Sequence, residues 1–138
     1  RPEAAVFSGD AAALQYPSAM PHPVIDPQAI ENLRMLNPDD GDAFLREITE
    51  IFLADTPKRI EELDQTLAAG DAVAFVRAAH SIKGSSSNLG ALALRQAAEV
   101  LENPAKKDGL ANVGSMIAAV RTEFTNAQAE LGKLVKLA

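Results

Sequence analysis

The 138-residue sequence contains no cysteine and no tryptophan, and it has a single tyrosine. Without cysteine, both a disulfide framework and a thiolate metal site are excluded. Aromatic residues make up only 4% of the chain and the net charge is −6 at pH 7, which argues against nucleic-acid binding. No apolar run approaches the length of a membrane-spanning helix. No glycine-rich loop with a Walker lysine is present, so no ATP site is indicated.

Hydrophobic residues nevertheless make up 47% of the chain, which is enough for one packed core. Residues 1–24 contain four prolines and no sustained periodicity, so we expect a flexible linker or tail there, and His22 within it is expected to be solvated. Residues 25–138 are expected to form one helical domain. The chain starts at Arg1 without a signal-peptide pattern, and we expect it to be a piece of a longer protein.

Turn and cap residues divide residues 25–138 into helical segments. Asp26-Pro27 predicts a helix start, and the apolar residues that follow it form a short stripe of Ile30, Leu33 and Leu36. A long helical pattern then runs from Asp42 to Ala69. Pro57 interrupts it, and we favour one kinked helix over a new helix capped by Thr56. The apolar face of this pattern consists of Leu45, Ile48, Phe52, Ile60, Leu63 and Leu67.

Gly70 predicts the end of this helix, and Asp71 predicts the cap of the next one. After Gly90, a further helix is expected to run to about Asn103, where Pro104 ends it. Its expected apolar face is Leu92, Ala93, Ala97, Val100 and Leu101. The last helix shows apolar residues at alternating steps of three and four: Leu110, Val113, Ile117, Val120, Phe124, Ala127, Leu131 and Leu134. We therefore expect an all-α fold, an antiparallel four-helix bundle with a short extra N-terminal helix across one end.

The segment from Ala78 to Ala91 contains the candidate functional residue, His80. Around it, a single apolar seam is predicted to face the core, with steps of four, three, four and three: Phe75, Ala79, Ile82, Ser86 and Leu89. A helix turns by roughly 100° per residue, so His80 falls at the edge of this buried face. On the same edge lie Val73, Val76, Lys83, Gly84 and Ser87.

Glycine at position 84 is notable because a helical side chain leans back over the preceding turn, and residue 84 is best placed to cover His80. Glycine in a helix interior costs about 1 kcal/mol relative to alanine. Close helix packing would explain it, as would the access of a bulky partner to the imidazole. Lys83 leans back in the same direction and brings an ammonium group near the ring. Such a cation would stabilise a dianionic group on the ring nitrogen.

The pattern His80-x-x-Lys83-Gly84 followed by Gly90 resembles the signature of the histidine-containing phosphotransfer (HPt) domains, and the resemblance extends from about Ile25 to Leu134. It implies that His80 is the phosphoacceptor, that it takes a phosphoryl group from a receiver-domain aspartate, and that it passes the group to another receiver. It suggests Nε2 as the reacting atom. The parent protein would be a hybrid sensor histidine kinase with this domain at its C-terminus.

The same resemblance implies a phosphoryl carrier rather than an enzyme, with no cofactor on this chain and Mg²⁺ on the receiver. Receiver domains of response regulators or of the parent kinase would be the partners. We expect a bacterial protein, a monomeric domain without direct membrane insertion, and a location in the cytoplasm, in some cases tethered to a membrane-bound sensor.

The neighbouring residues receive weaker assignments. Gly84 is predicted to give access, and Gly90 to end the helix. Ser87 and Asn88 are possible auxiliary groups for the phosphoryl oxygens, although capping is the commoner role of such residues near a helix end. Arg77 is a further auxiliary candidate that would meet an acidic partner. Val73 and Val76 would form the edge of a docking patch, or the ordinary periphery of the core.

Several alternatives compete with this interpretation. The bundle could be an interaction module that docks a non-receiver effector through the same surface, with phosphorylation secondary. A serine hydrolase is disfavoured because no oxyanion-hole motif is visible. A metal site is disfavoured because no second histidine or carboxylate lies on the His80 edge at ligand spacing. The dimerisation domain of a histidine kinase is disfavoured because its histidine is usually followed by an acidic residue, whereas Ser81 follows here.

Overall fold

The computed structural model describes residues 23–135, and within that range it contains five α-helices and one 3₁₀ turn. The elements in chain order are α1 (Pro27–Leu36), α2 (Ala43–Ala69), α3 (Ala72–Leu89), α4 (Leu92–Asp108), the 3₁₀ turn (Gly114–Met116) and α5 (Ile117–Leu134). The expected all-α fold is confirmed. Most of the predicted linker, residues 1–22, lies outside the described residues, as do residues 136–138.

The four helices α2, α3, α4 and α5 form the bundle. α3 packs against α2 and α4, α5 packs against α4 and α2, and α1 contacts α2 and α3. Short connections between successive helices make neighbours antiparallel. The core between them is built of aliphatic and alanine side chains with Phe52, Phe75 and Phe124. His80 is therefore carried on a helix that is supported on two sides.

Local sequence signals set most of the helix ends. The side chain of Asp26 accepts a hydrogen bond from the Gln28 amide, and that of Asp71 accepts one from the Ala74 amide. Gly70 and Gly90 end α2 and α3 in the left-handed conformation, where glycine carries no Cβ penalty. α2 runs through Pro57 without interruption, as favoured from the sequence, and Thr56 is a buried helical residue rather than a cap.

Pro104 does not end α4, contrary to the sequence-based expectation, and the helix continues to Asp108. Proline removes one backbone hydrogen bond, but Leu101 and Ala105 are both buried and hold the helix to the core across it. The buried face also differs from the expected one, since it consists of Leu94, Ala98, Leu101, Glu102 and Ala105. Of the residues expected there, only Leu101 is fully buried.

Two apolar stripes are shorter than expected. α5 begins at Ile117 rather than at Leu110, because the chain before it forms a turn and the 3₁₀ segment. Val113 is still buried in this irregular stretch, so burial there does not require a helix. In α1, Ile30 is buried but Leu36 is exposed at the end of the helix.

Gly90 holds α1 against the end of α3. Its carbonyl accepts a hydrogen bond of 2.8 Å from the Asp26 amide, and a Cβ at position 90 would lie 2.5 Å from the Cβ of Ala29. Gly70 has a nearly identical backbone conformation, with φ +70° at both residues, but nothing lies within 4 Å of its Cβ position. The two glycines therefore share a conformational requirement and differ in packing.

This difference gives a matched pair of substitutions. We expect Gly70→Ala to destabilise the bundle by about 1–2 kcal/mol, the cost of the left-handed conformation for a residue with a Cβ. Gly90→Ala should cost clearly more, because α1 must also move away. Urea unfolding followed by far-ultraviolet circular dichroism would measure both values. Equal losses would show that the close approach of Ala29 adds nothing.

Candidate functional site

His80 lies in the middle of α3 with its backbone on a buried helix and its ring at the surface. The predicted seam is confirmed, since Phe75, Ala79, Ile82, Ser86 and Leu89 are all buried. The His80 side chain, one residue off that seam, is 66% exposed. The imidazole is therefore held on a rigid element and is still open to a partner.

The ring is oriented by a carboxylate from the neighbouring helix. His80 Nδ1 lies 2.8 Å from Oε2 of Glu102 on α4. The Glu102 side chain is only 3% exposed, so the carboxylate projects from the helix interface towards the ring. An ionised carboxylate can only accept, so Nδ1 carries the proton and donates it. Nε2 is then the nitrogen with a free lone pair, on the side of the ring away from Glu102.

Lysine residues balance the charge of Glu102. Lys83 Nζ lies 2.7 Å from Glu102 Oε1, and its side chain is 22% exposed. Lys106 Nζ lies 3.9 Å from Oε2 and its side chain is 60% exposed. The structure thus brings Lys83 to the His80 site through Glu102, with its ammonium group on the carboxylate. Charge support of a phosphoryl group by Lys83 stays a prediction.

The pKa of Glu102 is shifted downwards by these contacts. Burial opposes ionisation of the carboxyl group, but the hydrogen bonds from Lys83 and His80, together with their charges, outweigh it and hold the pKa of Glu102 below its ordinary value. The carboxylate is accordingly ionised at neutral pH. A permanent negative charge therefore faces the Nδ1 side of the ring.

Gly84 leaves the space beside His80 open. A Cβ built at this position meets no atom within 4 Å, and the residue is exposed. Close helix packing therefore does not require glycine here, because none of the described residues occupies the space a side chain would fill. An access role fits this geometry and stays a prediction.

The auxiliary candidates lie elsewhere on the surface. Ser87 donates a hydrogen bond of 3.0 Å to the Lys83 carbonyl and accepts one of 2.8 Å from Arg95 Nε. Asn88 lines a cleft of about 380 Å³ between α2 and the end of α3, with apolar walls. Arg77 is exposed and lines a different cleft together with Arg59 and Glu62. None of the three is in hydrogen-bond contact with the His80 ring.

The two valines differ in burial. Val73 is 69% exposed, whereas Val76 is partly buried against the core. Val73 therefore presents apolar surface on the His80 edge, and Val76 contributes to the periphery of the core. Their predicted role at the edge of a docking patch stays a prediction.

Sequence reasoning missed Glu102, which lies 22 residues from His80. Glu102 lies on α4 and not on the His80 edge of α3, where the sequence places no carboxylate. An α4 that ends near Asn103 also leaves Glu102 at the end of a helix, without a predicted partner. One feature of the sequence does indicate that Glu102 is buried. Once α4 is continued through Pro104, Leu94, Ala98, Leu101 and Ala105 form a stripe, and Glu102 lies beside Leu101 on it. A charged residue on an apolar stripe is rarely buried without a partner.

In the part of the chain that the structure describes, no three His, Cys, Asp or Glu side chains form a group that could hold a metal ion. Across the same residues, no helix combines the length and the apolar character needed to cross a membrane.

The site matches a known family. The model of the Hpt domain family matches residues 47–130, which is more than half of the chain, and the chain belongs to this family. Hpt domains are phosphocarrier modules that act in histidine phosphorelays and interact with receiver domains. Comparison with curated proteins finds no match to this chain.

Solved structures with the same fold include bacterial and plant proteins. Histidine-containing phosphotransfer protein B (HptB) from Pseudomonas aeruginosa PAO1 is 29% identical, with a TM-score of 0.72 over 80% of this chain and 93% of that one. The maize phosphotransfer protein ZmHP2 is 23% identical, with a TM-score of 0.72 over 82% and 83%. The HPT domain of a sensor hybrid histidine kinase from Shewanella is 14% identical, with a TM-score of 0.63 over 82% and 94%. The last two likenesses show the fold alone.

The lowered pKa of Glu102 predicts a pH dependence of stability. A depressed carboxyl pKa stabilises the fold above the unfolded-state pKa, which is about 4.3, and this contribution is lost as the pH falls through the folded-state value. Glu102→Gln removes the titrating group. We expect the wild type to be more stable than Glu102→Gln at pH 7, by about 1–3 kcal/mol, and the difference to shrink below pH 4. Urea unfolding of both proteins at pH 7 and pH 3 would measure it. A constant difference would contradict the assigned charge state.

Proposed function

We propose that this domain carries a phosphoryl group on Nε2 of His80, which it accepts from a receiver-domain aspartate and passes to the aspartate of another receiver. The observation that carries the proposal is the hydrogen bond between Nδ1 and the buried Glu102 carboxylate. It leaves one nucleophilic nitrogen, and that nitrogen belongs to an exposed ring. Membership of the Hpt family supports the same assignment.

The transfer needs little from this chain beyond position and charge. The Nε2 lone pair attacks phosphorus, the bond between phosphorus and the aspartyl oxygen breaks, and the aspartate leaves as a carboxylate. The ring becomes positively charged in this step. The Nδ1 proton stays on the ring and is shared with Glu102, which stabilises that positive charge. Onward transfer reverses the step with a second receiver.

Lys83 and Lys106 supply positive charge next to this chemistry. With its ammonium group 2.7 Å from Glu102, Lys83 keeps the carboxylate ionised and is one helical turn from His80. We propose that the Lys83 ammonium group also reaches the phosphoryl oxygens once the phosphoryl group is attached to His80. The Mg²⁺ ion and the aspartate are proposed to belong to the receiver, as in phosphoryl transfer generally, where metal charge neutralises the transferred group.

We further propose that residues 25–138 form the phosphotransfer domain of a hybrid sensor histidine kinase on the cytoplasmic side of the membrane. The rival proposal, an interaction module for a non-receiver effector, rests on the exposed Val73 and the open surface at Gly84. Both proposals use one surface. A variant that is no longer phosphorylated by a receiver but still binds the effector would separate the two proposals.

His80→Gln tests the phosphoacceptor. The ring is largely exposed but its hydrogen bond to the buried Glu102 carboxylate is lost, so we expect an unchanged helix content and a loss of unfolding free energy of about 1–3 kcal/mol. Labelling by a phosphorylated receiver, measured as acid-labile phosphate on this chain, should disappear entirely. Ser81→Ala, which changes the adjacent hydroxyl, is the control and should keep full labelling. Acid-labile phosphate on the His80→Gln protein would remove His80 from the mechanism.

Gly84→Leu tests access to the ring. A Cβ at this position meets no described atom within 4 Å, so the variant should be as stable as the wild type or more stable by up to about 1 kcal/mol. Phosphoryl transfer with a receiver should nevertheless fall by about tenfold or more, since the leucine would project beside the imidazole. Gly132→Leu is the matched control, because Gly132 lies on α5 with equally open surroundings. Equal transfer rates in the two variants would show that Gly84 is not an access residue.

A further inference from the structure

Ser87 holds an arginine from the neighbouring helix. The Ser87 hydroxyl donates to the Lys83 carbonyl at 3.0 Å and accepts a hydrogen bond of 2.8 Å from Arg95 Nε on α4. Both functions of the hydroxyl are therefore used within the protein. Because its proton is donated to the Lys83 carbonyl, the hydroxyl has none left for a phosphoryl oxygen, so an indirect role replaces the auxiliary role expected from the sequence.

The Ser87–Arg95 pair repeats the arrangement of the His80–Glu102 pair. Seven residues separate His80 from Ser87 on α3, and seven separate Arg95 from Glu102 on α4. Because the two helices are antiparallel, both pairs bridge the line of contact between α3 and α4 in the same register. We call this line the α3–α4 seam. Seven helical residues span about 10.5 Å. The guanidinium group therefore lies at one end of a short stretch of seam and the imidazole at the other.

The seam between the two pairs is open. On α3 it contains Gly84, whose Cβ position has no atom within 4 Å. The residue of α4 opposite Gly84 is Ala98. It is fully buried, so its side chain does not project into the open space at Gly84. A partner that reaches His80 over Gly84 therefore also passes along this stretch towards Arg95.

Arg95 is left with unused hydrogen-bond donors. In residues 23–135, the arginines at 34, 59 and 121 each form an ion pair with a carboxylate. Arg95 has no carboxylate partner in that range, a property it shares with Arg77, and its Nε donates to the Ser87 hydroxyl. Its two Nη groups have no hydrogen-bond partner among residues 23–135 and can bind an acceptor from outside. In a chain of net charge −6, Arg95 is held in place by a hydroxyl rather than by a carboxylate.

We propose that Arg95, positioned by Ser87, is a docking residue that binds a carboxylate on the receiver domain, at about 10 Å from the phosphorylated aspartate of that receiver. The inference rests on the proposed phosphotransfer function and adds a second contact to it. The distance follows from the spacing of the two pairs along the seam. A charged contact at the rim of an interface acts on association and partner choice more than on the reaction itself. Arg95 thus selects receivers by where they carry negative charge.

The test uses the full chain phosphorylated on His80 by phosphoramidate, a small-molecule donor. Transfer is then measured to a Mg²⁺-loaded receiver domain that accepts the group from the wild-type chain. We expect Arg95→Glu to raise the half-saturating receiver concentration about tenfold and to leave the rate at saturation within about twofold. The increase should become smaller at high salt, because exposed charges are screened. Arg95→Lys should retain most of the affinity, and Ser87→Ala should raise the half-saturating concentration about two- to threefold.

Lys107→Glu is the matched control, since Lys107 is an exposed residue of α4 and the substitution changes the net charge equally. The inference is overturned if Arg95→Glu behaves as Lys107→Glu does, or if the rate at saturation falls while the half-saturating concentration stays constant. Replacing a receiver carboxylate by lysine should restore docking to Arg95→Glu. Failure of phosphoramidate to label His80 in the wild-type chain would instead refute the proposed function itself. Labelling without any Arg95 effect would refute only the docking contact.

Discussion

The buried carboxylate of Glu102 is the group on which the arrangement of the site depends. It lies between the imidazole of one helix and the ammonium group of Lys83, and it is removed from water almost completely. Burial raises the pKa of this carboxyl group, and the hydrogen bonds from Lys83 and His80 on α3 outweigh that effect and lower it. The packing of α3 against α4 is thus linked to the orientation of the ring. The same contact fixes which nitrogen of His80 is available.

Much of the architecture could be predicted from the sequence because it follows from local rules. Helix caps at Asp26 and Asp71, stops at Gly70 and Gly90, and the seam around Phe75 each depend on a few neighbouring residues. The exposed position of His80 follows from helical phase alone. The prediction for α4 is wrong, because Pro104 predicts the end of a helix that in fact continues to Asp108. Long-range packing outweighed the local preference there.

The composition of the site could be predicted only in part, for the same reason. His80, Lys83 and Gly84 lie on one helix, and their spacing shows that they are neighbours. Glu102 and Arg95 reach the same seam from another helix, and their place depends on how α3 and α4 are aligned. A sequence pattern within one helix contains no information on that alignment. Charged residues that a single helix would present to water become site residues once the helices pack.

The continuation of α4 beyond Pro104 has a consequence for motion. Pro104 lacks an amide hydrogen, so the backbone hydrogen bond to the Val100 carbonyl is missing immediately before the last turn of the helix, Ala105 to Asp108. Segments with fewer such bonds open at a lower free energy than the body of a helix. Lys106 belongs to that turn, and its ammonium group is 3.9 Å from Glu102 only while the turn is closed. Opening of this helical end would therefore move the Lys106 ammonium group away from the Glu102 carboxylate that faces the ring.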